Sequence, residues 1–128
     1  MKTVITAGVR TPFLKAGTAF RDFTAAELGT MAVRELVARS GIDPATVDEL
    51  VYGTVVHDPH AGNIAREVDL ATLPPAVSAH TVSRACATSN QAITAGANLI
   101  ETGNADVVIA GGAESLSRIP ILVSDRMA

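Results

Sequence analysis

The sequence predicts an α/β fold in the order β-α-β-α-β-α-β, a mainly parallel sheet with helices on its faces. Three observations carry that expectation. Short runs rich in Val, Ile and Tyr, at residues 3–8, 50–56, 76–82 and 106–110, alternate with longer stretches whose apolar residues recur at helical spacing. Gly, Pro and capping residues fall at the junctions between them. The last run, Asp106-Val107-Val108-Ile109-Ala110, is apolar at consecutive positions, as in a strand covered on both sides.

Residues 3–8 read as a short buried strand, followed by the turn-prone Arg10-Thr11-Pro12-Phe13. Thr24 opens a helix, and Glu27 three residues later completes a capping box. Ala25, Leu28, Gly29, Ala32, Val33, Leu36 and Val37 form its apolar face, and Gly41 ends it as a C′ glycine. Asp43 and Pro44 suit the cap and first position of a short helical turn. A second strand follows over 50–56 and a second helix over 62–70, stopped by Pro74 and Pro75. The third strand is expected over 76–82, a helix over 86–102 closed by Gly103, and the fourth strand over 106–110 before a Gly111-Gly112 turn. Beyond Ser115 the apolar run Ile119-Pro120-Ile121-Leu122-Val123 has nothing after it to pack beneath, so the chain reads as cut rather than finished.

The 128 residues suit one domain with a real core, since 48% are hydrophobic. Ten Lys and Arg against thirteen Asp and Glu give a formal charge of −3, and there are three Phe, one Tyr and no Trp. A nucleic-acid binder with a basic face and stacking aromatics is therefore not expected. The single cysteine, Cys86, rules out an intrachain disulfide and points to a reducing compartment, the cytoplasm. No apolar stretch is long enough to span a bilayer, and residues 4–9 are too short for a signal-peptide core.

Cys86 follows the third expected strand and starts the helix after it, at the carboxyl end of the sheet where sites of such folds lie. Helix N-termini present free N–H groups and the positive end of the helix dipole. A thiol there ionises more easily and becomes a better nucleophile, and the same N–H groups could hold an oxyanion during acyl transfer. Ala85, Ala87, Thr88 and Ser89 are small enough to let a substrate approach. The alternative is an inert cysteine buried in the core.

His57, His60 and His80 could each in principle pair with Cys86 as a base. His80 fits better as a packed or edge residue, and His57 and His60 as solvated loop residues. His57, Asp58 and His60 lack a further ligand, and transition-metal sites want three or four, so no metal is expected. The dinucleotide pattern G-x-G-x-x-G is absent after the first and fourth strands. Arg10, Lys15 and Arg21 could attract an anionic cosubstrate or stand solvated.

The segment Thr81-Val82-Ser83-Arg84-Ala85-Cys86-Ala87-Thr88-Ser89-Asn90-Gln91-Ala92 resembles the nucleophilic-cysteine segment of thiolases, closest to the β-subunit type of the trifunctional complex (3-ketoacyl-CoA thiolase, acetyl-CoA acyltransferase). Val9-Arg10-Thr11-Pro12-Phe13 resembles the family's N-terminal signature. Gly41-Ile42-Asp43-Pro44 through Val47-Asp48 is similar to its link between first helix and second strand. Residues 106–115, ending Gly111-Gly112-Ala113-Glu114-Ser115, are similar to its glycine turn, with Glu114 and Ser115 expected to be structural. Ala61-Gly62-Asn63-Ile64-Ala65-Arg66 resembles the segment entering the second helix near the dimer contact; the alternative is an ordinary helix start with a solvated Arg66.

The resemblance implies a thiolase-like half-domain, with residues 1–128 as the first part of the N-terminal domain. It implies acyl transfer between 3-ketoacyl-CoA and coenzyme A, with Cys86 as the acylated nucleophile and its backbone N–H in an oxyanion hole. Coenzyme A would be a cosubstrate, with no cofactor-binding or metal residues. A homo-oligomer is expected, with association with hydratase or dehydrogenase subunits open. The family's base His, second Cys, Asn-His element and most of the loop cradling coenzyme A do not occur in these residues, so the isolated chain is expected to be inactive. Ala-Thr-Ser-Asn stands after the cysteine where the commonest pattern has Gly-Ser-Gly, and the Asn90-Gln91 pair instead resembles the trifunctional-complex type, which implies medium- or long-chain 3-ketoacyl substrates of fatty-acid β-oxidation. The alternatives are a segment of a β-ketoacyl synthase-like condensing enzyme, or a non-catalytic half-fold that assembles with a second chain.

Overall fold

Helix α1 (Ala25–Ser40) begins where Thr24 and Glu27 exchange hydrogen bonds: the Glu27 N–H donates to Thr24 Oγ1, and the Thr24 N–H to the Glu27 carboxylate. The Thr24 N–H, and then the Thr24 hydroxyl donating at 2.9 Å, hold the Glu27 carboxyl below its ordinary range. The helix ends at Gly41, whose φ of 69° is the left-handed cap and whose N–H reaches Val37 O. A single 3₁₀ turn, Pro44–Thr46, follows with Asp43 accepting from the Ala45 N–H. In this computed structural model, which describes residues 2–126, three strands then alternate with two helices: β1 (Glu49–Gly53), α2 (Ile64–Thr72), β2 (Ser78–Val82), α3 (Thr88–Glu101) and β3 (Val108–Gly112).

The sheet is parallel throughout, in the order β2-β1-β3, with Val51 opposite both His80 and Ala110. Central β1 is the most buried, with Leu50 and Val51 fully enclosed. Its alternation divides the fold. Leu50, Tyr52 and Ile109 join Val33 of α1 and Ile64, Ala65 and Val68 of α2 in one apolar cluster. The opposite face receives α3, which comes so near that a Cβ on Gly96 would lie 2.9 Å from Val108 Cγ1. The parallel α/β class with helices on both faces is thus as the sequence implies.

One element of the expected order is absent from the sheet. Residues 3–8 join no ladder, and Val4 and Ile5 stand 70% and 78% exposed. Thr3 Oγ1 donates to Ala97 O of α3, the contact that places this segment beside the helix rather than in the sheet. An apolar run reports a need for burial, whereas a strand also requires a neighbouring edge to bond with.

Boundaries shift for identifiable reasons. The second expected strand stops at Gly53, because the N–H groups of Val55 and Val56 turn to the Glu114 carboxylate. Helix α2 starts two residues late, capped by the Asn63 side chain accepting from the Arg66 N–H. Helix α3 also starts two residues late, at Thr88, leaving Cys86 and Ala87 in the preceding turn. The last strand is likewise displaced two residues toward the C-terminus. The Asp106 and Val107 N–H groups bond Asp48 Oδ2, at 2.8 and 3.0 Å, and the ladder begins at Val108 and runs through Gly111 and Gly112.

Those two glycines are therefore strand residues, not the expected turn. A Cβ on Gly111 would lie 2.7 Å from the Tyr52 ring, and one on Gly112 2.8 Å from Gly53 O and Ser89 Oγ. The lack of a side chain serves close packing across the ladder and under α3.

Candidate active site

The carboxyl ends of β1 and β3 form a glycine floor on which the start of α3 rests. A Cβ on Gly53 would lie 2.2 Å from Thr88 Cγ2 and 2.5 Å from Val82 O. Only a bare backbone at 53 lets buried Thr88 sit there.

Between β2 and that helix, residues 83–87 make the turn that carries Cys86. The Ala87 N–H donates to Arg84 O at 3.0 Å, and the Thr88 N–H to Ala85 O at 3.1 Å. Thr88 Oγ1 accepts from the Arg84 N–H at 2.8 Å and donates to Ala85 O at 2.6 Å. Ala85 takes a φ of 45°, the left-handed region that a side chain rarely occupies, directly before the cysteine. Cys86 is exposed, so the buried-core alternative does not describe it. The backbone N–H groups of Cys86, Ser89 and Asn90 enter no hydrogen bond among the described residues. Unpaired N–H donors beside an exposed thiol are the elements that thioester chemistry uses.

The histidines occupy separate places. His57 and His60 are exposed in the loop after β1. The His60 N–H donates to Asp58 Oδ1 at 2.9 Å and its ring Nδ1 lies 3.1 Å away. The backbone bond, then the ring, hold the Asp58 carboxyl below its ordinary range. His80 lies on edge strand β2, half-exposed, with Nδ1 against Glu49 Oε1 of β1. No histidine hydrogen-bonds Cys86 among the described residues.

Arg66 is not the solvated side chain of an ordinary helix start. It pairs with Asp69, which is fully buried, and donates to Val77 O at 2.8 Å and Pro75 O at 3.1 Å. Burial pushes the Asp69 carboxyl above its ordinary value, with Arg66 opposing, and Asp69 Oδ1 has no hydrogen-bond partner among the described residues. Glu114 is structural, as expected. Its carboxylate accepts from Thr54 Oγ1 at 2.9 Å and from the Val55 N–H at 2.7 Å. Ser115 Oγ donates to Phe23 O at 2.6 Å.

A cavity of about 690 Å³ runs along β3, walled by Leu28 and Val33 of α1, Tyr52, and Ser89 and Ile93 of α3. Arg10 and Lys15 stand on its rim, while Arg21 pairs with Asp22 in solvent. Cys86 does not line it. The residues that sequence reasoning missed are Thr88 as the anchor of the cysteine turn and Gly53 as its floor. A glycine interrupting the apolar run 50–56 was the only available signal for Gly53.

The profile described as "Thiolase, N-terminal domain" matches residues 3–128. The chain is 50% identical over 99% of its length to a 3-ketoacyl-CoA thiolase from a Shewanella strain, and 48% identical over the same share to one from Aeromonas salmonicida. It spans 29% of the length of each of these relatives. Among solved structures it resembles the Bacillus anthracis acetyl-CoA acetyltransferase, with a TM-score of 0.92 and 36% identity over 96% of this chain and 32% of that one. It also resembles an Ascaris suum thiolase crystallised in complex with coenzyme A, with a TM-score of 0.87 and 30% identity over 91% of this chain and 31% of that one. A profile match across nearly every residue decides the matter: the chain belongs to the thiolase family.

Proposed function

We propose that this chain is the first part of the N-terminal domain of a thiolase-type acyltransferase in which Cys86 accepts the acyl group. The observation that carries the proposal is the exposed Cys86 thiol, on a turn at the carboxyl end of a parallel sheet and beside its own unpaired N–H, in a chain of this family. The Cys86 sulfur bonds to the C3 carbonyl carbon of a 3-ketoacyl-CoA, and the C2–C3 bond breaks. The released electron pair and the thiol proton end on the acetyl-CoA that leaves. Coenzyme A then takes the acyl group from Cys86 and returns its own thiol proton to the sulfur. The Cys86 N–H, unpaired among the described residues, stabilises the oxyanion that precedes each collapse.

The substrate expectation is a medium- or long-chain 3-ketoacyl-CoA of β-oxidation, with coenzyme A as cosubstrate and no cofactor or metal. A cytoplasmic homo-oligomer completes the proposal. No helix among the described residues is long and apolar enough to cross a membrane. The base that moves the protons is expected outside these residues, so the isolated chain should not turn over. Intact mass spectrometry with peptide mapping, after exposure to acetyl-CoA of the whole base-bearing thiolase polypeptide of which residues 1–128 are the first part, tests the nucleophile. One acetyl group on the Cys86 peptide, absent in Cys86→Ala, is expected; a label elsewhere or none would overturn the assignment. Turnover by residues 1–128 alone would overturn the inactivity.

A second reading is favoured by exposed Ile119, Ile121, Leu122 and Val123: a non-catalytic half-fold that assembles with further polypeptide. A soluble monomer of this chain in sedimentation analysis would remove its support.

A further inference from the structure

We infer that Thr88 is a positioning residue of the acyl-transfer site, whose hydroxyl aims the Cys86 N–H through the Ala85 carbonyl. The inference rests on Cys86 being the acyl acceptor. Ala85 C=O and Cys86 N–H belong to one peptide unit, which is planar and trans, so the two bonds point in opposite directions. Whatever holds the carbonyl therefore sets where the N–H points. Two donors hold it, the Thr88 hydroxyl at 2.6 Å and the Thr88 N–H at 3.1 Å. Both come from the first residue of α3, directing the carbonyl toward the helix and the Cys86 N–H away from it.

The same hydroxyl accepts the Arg84 N–H, so it grips the turn on both sides of Ala85. That grip offsets the left-handed backbone of Ala85, which a free alanine would leave. Thr88 can do this because it is 4% exposed and its methyl is locked over Gly53. Hydroxyl and methyl thus have separate tasks: the first aims the N–H, the second fixes the side chain in place.

Two substitutions, made in the whole base-bearing polypeptide of which residues 1–128 are the first part, separate the tasks. Thr88→Val keeps the shape against Gly53 and removes the hydroxyl; Thr88→Ser keeps the hydroxyl and removes the methyl. Cys86 acetylation by acetyl-CoA and alkylation by iodoacetamide are timed on each, with thermal melting as the fold control. Alkylation develops no oxyanion at a carbonyl. Thr88→Val should therefore acetylate at least about tenfold more slowly, while its alkylation stays within about threefold of the wild type. Thr88→Ser should acetylate within about threefold of the wild type yet melt at lower temperature. Equal losses in both chemistries, or wild-type acetylation by Thr88→Val, would overturn the role of Thr88 and leave Cys86 standing. A wild-type chain that alkylates but takes no acetyl group would instead remove the acyl-acceptor assignment, and the role of Thr88 with it.

Discussion

Gly53 and Thr88 interlock: the methyl of Thr88 occupies the space in which a Cβ at position 53 would project, 2.2 Å from Cγ2. The other neighbour of that Cβ is the Val82 carbonyl, which belongs to the β2 ladder and cannot retreat. Gly53→Ala should therefore destabilise the fold by about 3 kcal/mol, at the upper end of overpacking. Urea unfolding monitored by circular dichroism checks it, and an unchanged midpoint would contradict the interlock.

Asp48 joins the start of β1 to the start of β3 by accepting two backbone N–H groups, and those bonds hold its carboxyl below the ordinary range. A depressed acid contributes its stability above its unfolded pKa of about 4, and loses it as pH falls through the lower folded value. Unfolding midpoints of the wild type should decline below about pH 4 more steeply than those of Asp48→Asn. Parallel curves for the two proteins would show that the carboxylate carries none of the acid sensitivity.

For Asp69 the sign is reversed. Burial raises its carboxyl, so protonation favours the folded chain, and the charged form costs stability as pH rises past the unfolded value. Arg66 offsets that cost. Arg66→Met should lose about 2 kcal/mol at neutral pH, less than a fully enclosed pair would because Arg66 is partly exposed. The deficit should shrink as the pH falls and Asp69 takes up a proton. In the double variant Arg66→Met, Asp69→Asn most of the neutral-pH loss should return. A deficit independent of pH, and not relieved by the second change, would contradict the charge account.

Tyr52 is the only tyrosine, and the sequence has no tryptophan, so ultraviolet titration reports it alone. Burial against α1 and α2 pushes its phenol up to about 12. The phenol favours the folded state below its unfolded pKa of about 10, and that advantage disappears as pH rises toward the folded value. Tyrosinate absorbance should stay absent at pH 10.5 in the folded chain and appear there in urea. Half-ionisation near pH 10 without denaturant would place the ring in solvent.

The sequence by itself determined the alternating α/β class, the capped α1 with its Gly41 terminus, the 3₁₀ turn at Pro44 and the location of Cys86 between a strand and a helix. These are local effects: periodicity, caps and turn residues act within a few positions of one another. The resemblance of several motifs, the cysteine segment 81–92 foremost, pointed to the family. Only the tertiary structure decided the rest, because each remaining choice was a competition between distant groups. Glu114 takes the N–H groups of Val55 and Val56, and so ends β1 early, from 59 and 58 positions away. Asp48 delays β3 across a similar span. Residues 3–8 carry a strand's composition but bond to α3 at Ala97 instead of to a strand edge. Gly111 and Gly112 look like a turn in sequence, yet Tyr52 and Ser89 require bare backbone there inside a strand. The grip of Thr88 on Ala85 depends on Gly53, 35 positions earlier, and no local pattern links a strand-end glycine to the aim of a cysteine N–H.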